Sequence, residues 1–125
     1  MIKEAAGKSN LKRVTQELGG KSPCIEFADA DLDAADEYAH HGLFYQQGQC
    51  CIAASRLFVE ESIYKEFVRK RVERAKKYVL GNPLTPGVNQ GPQIEKEQYE
   101  KILDHIESGK KEGAILECGV GPWGN

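Results

Sequence analysis

Two adjacent cysteines are the residues of this sequence whose type and spacing are best suited to chemistry. Cys50 and Cys51 follow a Gly-Gln dipeptide at the end of a long segment with helical periodicity. A thiol in such a place can be a nucleophile, a metal ligand or a packed core residue. Composition alone leaves all three interpretations open.

A carboxylate on a glycine turn is the second candidate group. Glu17 begins the run Glu-Leu-Gly-Gly, and a strand and a helix separate it from Cys51. A carboxylate near a thiol can act as a general base when its pKa lies near the working pH. The two glycines and the following Lys21 do not form a phosphate-binding loop, because the spacing of that motif is missing.

The histidine pair raises the question of a metal site. His40 and His41 precede the two cysteines, but adjacent pairs lack the gaps of roughly two to four residues that zinc ligands show. The sequence therefore predicts no metal site. It predicts instead that His40 contacts Asp36 across one turn of an exposed helix face. A thiol redox pair is a weaker alternative, since a Cys-x-x-Cys spacing is absent.

The two motifs together resemble the paired signature of the aldehyde dehydrogenases. From Ile2 to Asn125 the sequence is similar to the cytosolic class that includes retinal dehydrogenase, over the central part of its catalytic domain. The resemblance implies that Cys51 is the catalytic thiol and Glu17 the general base. It also implies that the Cys51 backbone N–H is one oxyanion donor. The other donor of the family is an Asn side chain upstream of the matched segment.

The implied reaction begins with addition of the thiolate to an aldehyde carbonyl. A hydride then passes from the thiohemiacetal to a nicotinamide cofactor, and an activated water hydrolyses the remaining thioester to the acid. The spacing Gly-x-Gly-x-x-Gly occurs once, at residues 119–124, but in a predicted loop that opens no predicted helix, so it is not counted as a dinucleotide fingerprint. The resemblance implies that the family's cofactor-binding segments flank the matched part. The expectation is NAD in the intact family, no cofactor-binding residue in this chain, and no dehydrogenase activity of the chain alone.

An alternative is that the chain is an α/β scaffold without catalysis. At Gln16, Glu26 and Asp36 this sequence has polar or charged residues where the family prefers apolar ones. Burying a polar group without a partner costs roughly 1–3 kcal/mol, and burying a charge costs more. All three side chains are therefore predicted to face water. The hypothesis that explains all three residues is that the chain is an excised and engineered subdomain whose once-covered positions now form its surface.

Bulk properties narrow the class of protein. The 125 residues fit one ordinary domain, and a net charge of −2 gives no electrostatic reason for nucleic-acid binding. No apolar run reaches membrane-spanning length, and the N-terminus lacks a signal-peptide pattern. Four cysteines without the spacing of a secreted disulfide framework favour reduced thiols and a cytoplasmic location. A small-molecule aldehyde is expected as a ligand only in the intact family.

Strand and helix patterns alternate along the chain and predict an α/β fold. The expected architecture is a three-layer Rossmann-like sandwich, with about four mostly parallel strands covered by about three helices. The predicted strands are residues 13–18, 23–28, 56–60 and 114–118. The predicted helices run from a cap at Asp31 to about residue 46, from a cap at Ser62 to about residue 79, and over residues 95–108.

The chain is predicted to be a single α/β unit over residues 1–125, in which residues 1–10 are the remnant of a preceding helix. Unpaired edges of the sheet are expected to allow self-association. Trp123 either caps the core or extends into solvent.

Overall fold

The computed structural model describes residues 1–119 and 121–122, so Trp123 lies outside the described residues. Two strands, β1 (Pro23–Glu26) and β2 (Arg56–Val59), form a small sheet. The helices are α1 (Ile2–Lys8), α2 (Leu32–Phe44), α3 (Glu61–Lys76) and α4 (Lys96–Lys111), and a 3-10 turn (Tyr45–Gly48) extends α2. No helix in this described part is long and apolar enough to cross a membrane.

The sheet positions α2 and the turn that follows it. The two strands pair in parallel, with residues 23–26 opposite residues 56–59. Helix α2 therefore leads from the end of one strand towards the start of the other, as in a βαβ unit. Asp31 caps α2 as predicted, since its carboxylate accepts hydrogen bonds from the backbone N–H groups of Asp33 at 3.0 Å and Ala34 at 3.2 Å. The predicted α/β class and the parallel pairing are confirmed.

The two outer strands of the prediction are not confirmed. Residues 13–18 and 114–118 belong to no strand and form no ladder with β1 or β2. Both stretches have strand composition, but a strand also needs a neighbour that satisfies its backbone hydrogen bonds. The described part contains a two-stranded parallel sheet, and the three-layer sandwich is not confirmed either.

Helices α3 and α4 differ from the sequence prediction at their ends, and α3 stops at Lys76, short of the predicted residue 79. Helix α3 begins one residue before Ser62, whose hydroxyl donates to Glu60 Oε1 at 2.8 Å and does not cap the helix. Helix α4 continues past Gly109 to Lys111, because a single glycine weakens an exposed helix without necessarily ending it.

The core is small and lies between α2 and α3, where Ala35, Ala39 and Phe67 are buried. The chain of 13.9 kDa exposes 10308 Å² of surface, whereas a compact monomer of that mass exposes about 6,700 Å². Large apolar side chains on the sheet remain exposed, among them Ile25 at 59% and Phe58 at 52%. Parallel sheets are normally covered on both faces, so this sheet lacks most of its covering layers.

Asp36 does not face water, contrary to the sequence prediction, and the residue is only 3% exposed. Arg71 Nη1 donates to Asp36 Oδ1 at 3.2 Å, and Arg74 Nε donates to Oδ2. The carboxylate can be buried because two guanidinium groups replace its hydrogen bonds to water. Gln16 is exposed as predicted, whereas Glu26 is half-buried. The hypothesis of a new solvent surface at all three sites is therefore wrong at Asp36.

His40 is buried as well, and the predicted exposed contact with Asp36 is wrong. The His40 ring stacks on Phe44 with 4.4 Å between ring centroids and meets Tyr78 edge-on at 5.2 Å. Its Nδ1 atom is buried without a hydrogen-bond partner in the described part of the chain. Burial lowers the pKa of His40, and Arg71 adds to that shift. The turn that places His40 beside Asp36 was foreseeable, but the burial of that helix face depends on α3.

Candidate functional site

The segment before the two cysteines has an unusual backbone. Gln46, Gln47 and Gly48 have φ angles of 52°, 62° and 74°. The left-handed conformation costs an L-residue with a side chain roughly 1–2 kcal/mol, whereas glycine adopts it readily. The two glutamines therefore need contacts that hold them in this conformation.

Side-chain amides supply such contacts on one side of the turn. Gln47 Nε2 donates to the backbone carbonyls of Gly91 at 3.1 Å and Pro92 at 2.9 Å. Gln49 Nε2 donates to Gln47 Oε1 at 3.0 Å and to Gln93 Oε1 at 3.3 Å. We call residues 46–49 the glutamine turn. It is tied to residues 91–93, which are distant in sequence.

Backbone hydrogen bonds hold the chain on the other side of the cysteines. The N–H of Ala53 donates to the Cys50 carbonyl at 3.0 Å, and the N–H of Ala54 donates to the Gly42 carbonyl at 3.0 Å. Ala53 is buried, Cys50 is half-buried and Cys51 is exposed. The Cys51 thiol is thus presented to solvent on a segment that is anchored before and after it.

Glu17, the other predicted site residue, is exposed in the stretch between α1 and β1. Near its start the N–H of Leu11 donates to the Ala6 carbonyl at 3.0 Å. Near its end Arg56 donates from Nε to the Lys21 carbonyl at 2.8 Å and from its backbone N–H to the Ser22 carbonyl at 3.2 Å. Within the described residues, no hydrogen bond or ion pair joins Glu17 to Cys51. Their roles remain predictions, because the arrangement shows an accessible thiol without an oriented base.

Cys24, a thiol within the sheet, is held in its protonated form. Cys24 lies in β1 and donates from Sγ to Glu26 Oε1 at 3.3 Å. Burial raises the pKa of the Cys24 thiol, and the hydrogen bond to Glu26 raises it further. A higher pKa means less thiolate at neutral pH, so Cys24 does not compete with Cys51 as the candidate.

A polar cleft adjoins the glutamine turn. Its volume is about 360 Å³, and its lining includes Gln46, Gln47, Gln49 and, from the loop across from them, Asn89 and Gln90. Sequence reasoning assigned no role to these amides. The available signal was the recurrence of Gln-Gly in the runs Gln-Gln-Gly-Gln at 46–49 and Gln-Gly-Pro-Gln at 90–93.

The described residues do not fit a dinucleotide at the positions where a parallel sheet usually binds one. That position is the N-terminus of the helix after a strand, where backbone N–H groups meet the pyrophosphate. At α2 the Asp31 carboxylate already accepts those N–H groups. At α3 the Glu60 carboxylate lies beside the helix start and accepts from the N–H of Ala28 at 2.9 Å, which lowers the pKa of Glu60. Both starts carry negative charge, which would repel a pyrophosphate.

Metal ligation has no support in the described residues. No group of three or more His, Cys, Asp and Glu side chains there is placed to hold a metal ion. The His40 ring stacks on Phe44 and meets Tyr78 edge-on.

Comparison with known sequences gives one family. The family model described as "Aldehyde dehydrogenase family" matches residues 1–124. Aldehyde dehydrogenase 1A1 of Bos taurus is 86% identical over all 125 residues, and that of Homo sapiens is 84% identical. The chain spans 25% of the length of each of these relatives.

Solved structures agree in fold as well as in sequence. An indole-3-acetaldehyde dehydrogenase in complex with NAD+ superposes with a TM-score of 0.89 at 42% identity, over 96% of this chain and 24% of that one. An aldehyde dehydrogenase from Brucella melitensis biovar abortus gives a TM-score of 0.91 at 37% identity, over 98% of this chain and 26% of that one. Since the family model matches almost every residue and the fold agrees, the chain belongs to the aldehyde dehydrogenase family.

Proposed function

We propose that this chain supplies the thiol-bearing part of an NAD-dependent aldehyde dehydrogenase site, with Cys51 as nucleophile and Glu17 as general base. The observation that carries the proposal is the exposed Cys51 thiol on a segment anchored on both sides. A thiolate held in this way can attack a carbonyl carbon with little rearrangement of its surroundings. Family membership supports an aldehyde as the carbonyl compound.

The Cys51 backbone N–H would stabilise the oxyanion formed in that attack, because the negative charge develops on the carbonyl oxygen beside the new C–S bond. Glu17 would act later and take a proton from the water that hydrolyses the thioester. Its exposed position favours the idea that segments of a longer protein orient it. The relatives support this, since the chain spans 25% of their length.

NAD is proposed as the hydride acceptor of the whole protein, on the strength of the relative that was solved with NAD+. Both helix N-termini after the strands carry carboxylates, so we expect the chain alone to form no NADH from an aldehyde. The four cysteines are free thiols, which suits the reducing conditions of the cytoplasm as the proposed location.

The test is acylation of the chain by p-nitrophenyl acetate. The thiolate attacks the ester carbonyl, p-nitrophenolate leaves, and an acetyl thioester remains on the nucleophile. We expect peptide mass spectrometry to find the acetyl group on Cys51. Cys51→Ser should remove the p-nitrophenolate burst, while the matched Cys50→Ser variant should keep most of it. Acetylation confined to Cys50 or to lysines would contradict the assignment of Cys51.

A second candidate function is a non-catalytic scaffold. The observations that favour it are the exposed Glu17 and the surface of 10308 Å², far above that of a compact monomer. Under this interpretation, the chain would fold or assemble with other segments, and Cys51 would acylate no faster than a thiol in an unfolded peptide. The same acylation experiment in the presence of denaturant provides that reference rate.

A further inference from the structure

The two left-handed glutamines of the glutamine turn are strained and need contacts outside the turn to stabilise them. Gln46 and Gln47 both adopt the left-handed conformation, yet their side chains differ in what they bind. Gln47 makes hydrogen bonds to residues 91 and 92, whereas Gln46 is exposed and has no hydrogen bond from its side chain in the described part of the chain. Of the two left-handed glutamines, Gln47 is therefore the one whose side chain binds the loop.

The orientation of the Gln47 amide is determined by its partners. The Gly91 and Pro92 carbonyls are acceptors only, so they require the NH₂ group, and both of its protons are used. The carbonyl end of the same amide accepts from Gln49 at 3.0 Å. A side chain with every group satisfied in this way has little freedom to move.

The loop that receives the Gln47 amide is itself fixed. The N–H of Gly81 donates to the Gln90 carbonyl at 3.0 Å, and the N–H of Val79 donates to Asn89 Oδ1 at 2.8 Å. A Cβ atom added to Gly91 would lie 3.4 Å from Pro83, in ordinary van der Waals contact, so the two parts of the loop pack against each other. The Gln47 amide thus ties the glutamine turn to a loop that has hydrogen bonds of its own.

We propose that Gln47 is a positioning residue for Cys51. Its amide holds the left-handed turn and thereby sets the direction of the Cys51 backbone N–H, which must point at the developing oxyanion. The proposal rests on the proposed function of Cys51. It assigns to Gln47 an effect on attack at a carbonyl, where an oxyanion forms, and none on simple alkylation of the thiol, where no oxyanion forms.

The experiment compares Gln47→Ala with Gln46→Ala, which makes the same change at the neighbouring left-handed position. We expect Gln47→Ala to slow acylation of Cys51 by p-nitrophenyl acetate about tenfold, while its alkylation by iodoacetamide stays within about twofold. Gln46→Ala should change neither rate by more than about twofold. Equal acylation rates in the two variants, or a parallel fall of both reactions in Gln47→Ala, would overturn the proposal.

Hydrogen exchange separates this proposal from the proposed function of Cys51. Gln47→Ala should speed amide exchange in residues 46–51, and Gln46→Ala should not. If the unmodified chain shows no acylation of Cys51, the proposed function fails. Unchanged exchange in Gln47→Ala would separately refute the proposal that Gln47 holds the glutamine turn. Should Gln47→Ala lose its circular dichroism signal, Gln93→Ala removes only the outer contact and should give a smaller slowing of acylation in the same direction.

Discussion

The two candidate catalytic residues lie in regions that differ in how the chain holds them. Cys51 follows a turn that is bound by side-chain amides and by α2, which in turn packs on α3. Glu17 lies in a stretch without helix or strand, next to a sheet whose apolar side chains are exposed. The first region obtains its structure from contacts within the chain. The second region contains apolar side chains that remain exposed, because no other segment of the described chain covers them.

The largest expected effect on stability comes from truncating a phenylalanine to alanine, once in the helix interface and once in the sheet. Phe67→Ala removes a side chain that is only 1% exposed and should cost about 3–5 kcal/mol of unfolding free energy. Phe58→Ala removes one that is 52% exposed and should cost less than about 1 kcal/mol. Urea unfolding followed by circular dichroism measures both. Equal losses of unfolding free energy would show that the sheet is as well buried as the helix interface, and would contradict the difference between the two regions.

The buried carboxylate of the helix interface gives the next effect. Asp36→Asn replaces a buried anion that binds two guanidinium groups and should cost about 1–3 kcal/mol. The control is Asp33→Asn, since the Asp33 carboxylate is exposed although it accepts from Lys70 at 2.5 Å. Asp33→Asn should be much less destabilising, and its effect should shrink further in high salt. An Asp36→Asn variant as stable as Asp33→Asn would contradict the burial of that charge.

Acid should weaken the helix interface through His40. Burial holds the pKa of His40 below its usual value of 6.5, and Arg71, Arg74 and His41 act in the same direction against the opposing effect of Asp36. The folded state therefore binds the proton less readily than the unfolded state. The stability that neutral His40 contributes is complete above pH 6.5 and is lost as the pH falls through the folded-state pKa of His40.

The measurement is the urea midpoint between pH 7.5 and pH 5. His40→Gln removes the titrating group and should flatten the dependence over this range. His41→Gln changes an exposed neighbour and should leave the slope almost unchanged. An unaltered slope in His40→Gln would assign the acid sensitivity to other groups.

The smallest effect is expected at the open sheet. Unpaired strand edges beside exposed apolar side chains favour association with a second chain. We expect weak, concentration-dependent self-association in sedimentation velocity, reduced by Phe58→Lys and unaffected by Tyr38→Lys, which changes an exposed aromatic of α2. A chain that stays monomeric at all concentrations would show that the exposed sheet does not self-pair.

Local features of the sequence explain what was predicted correctly. The Asp31 cap and the apolar spacing along α2 and α3 depend on residues within one or two turns, and both helices form where expected. The parallel strands at residues 23–26 and 56–59 follow from short β-branched and aromatic runs on either side of a helix. The prediction of strands at residues 13–18 and 114–118 was not confirmed, because composition does not supply the neighbouring strand with which such a segment must pair.

The candidate site divides in the same way. The pattern Gly-Gln-Cys-Cys was enough to single out Cys51, and Glu-Leu-Gly-Gly was enough to single out Glu17. The contact from Gln47 to residues 91 and 92 was not foreseen, since it joins segments more than forty residues apart. Burial of Asp36 was not foreseen either, since it depends on which face of α2 meets the arginines of α3.

The sequence by itself determined the family, the helices and the identity of the candidate thiol, because these depend on residue types at short spacing. The tertiary structure alone decided which polar groups are buried and which candidate residues are held in place. The physical reason is that burial and hydrogen bonding are properties of pairs of segments. Asp36 is tolerated in the interior because Arg71 and Arg74 reach it, and the glutamine turn before Cys51 is tied by Gln47 to a loop from another part of the chain.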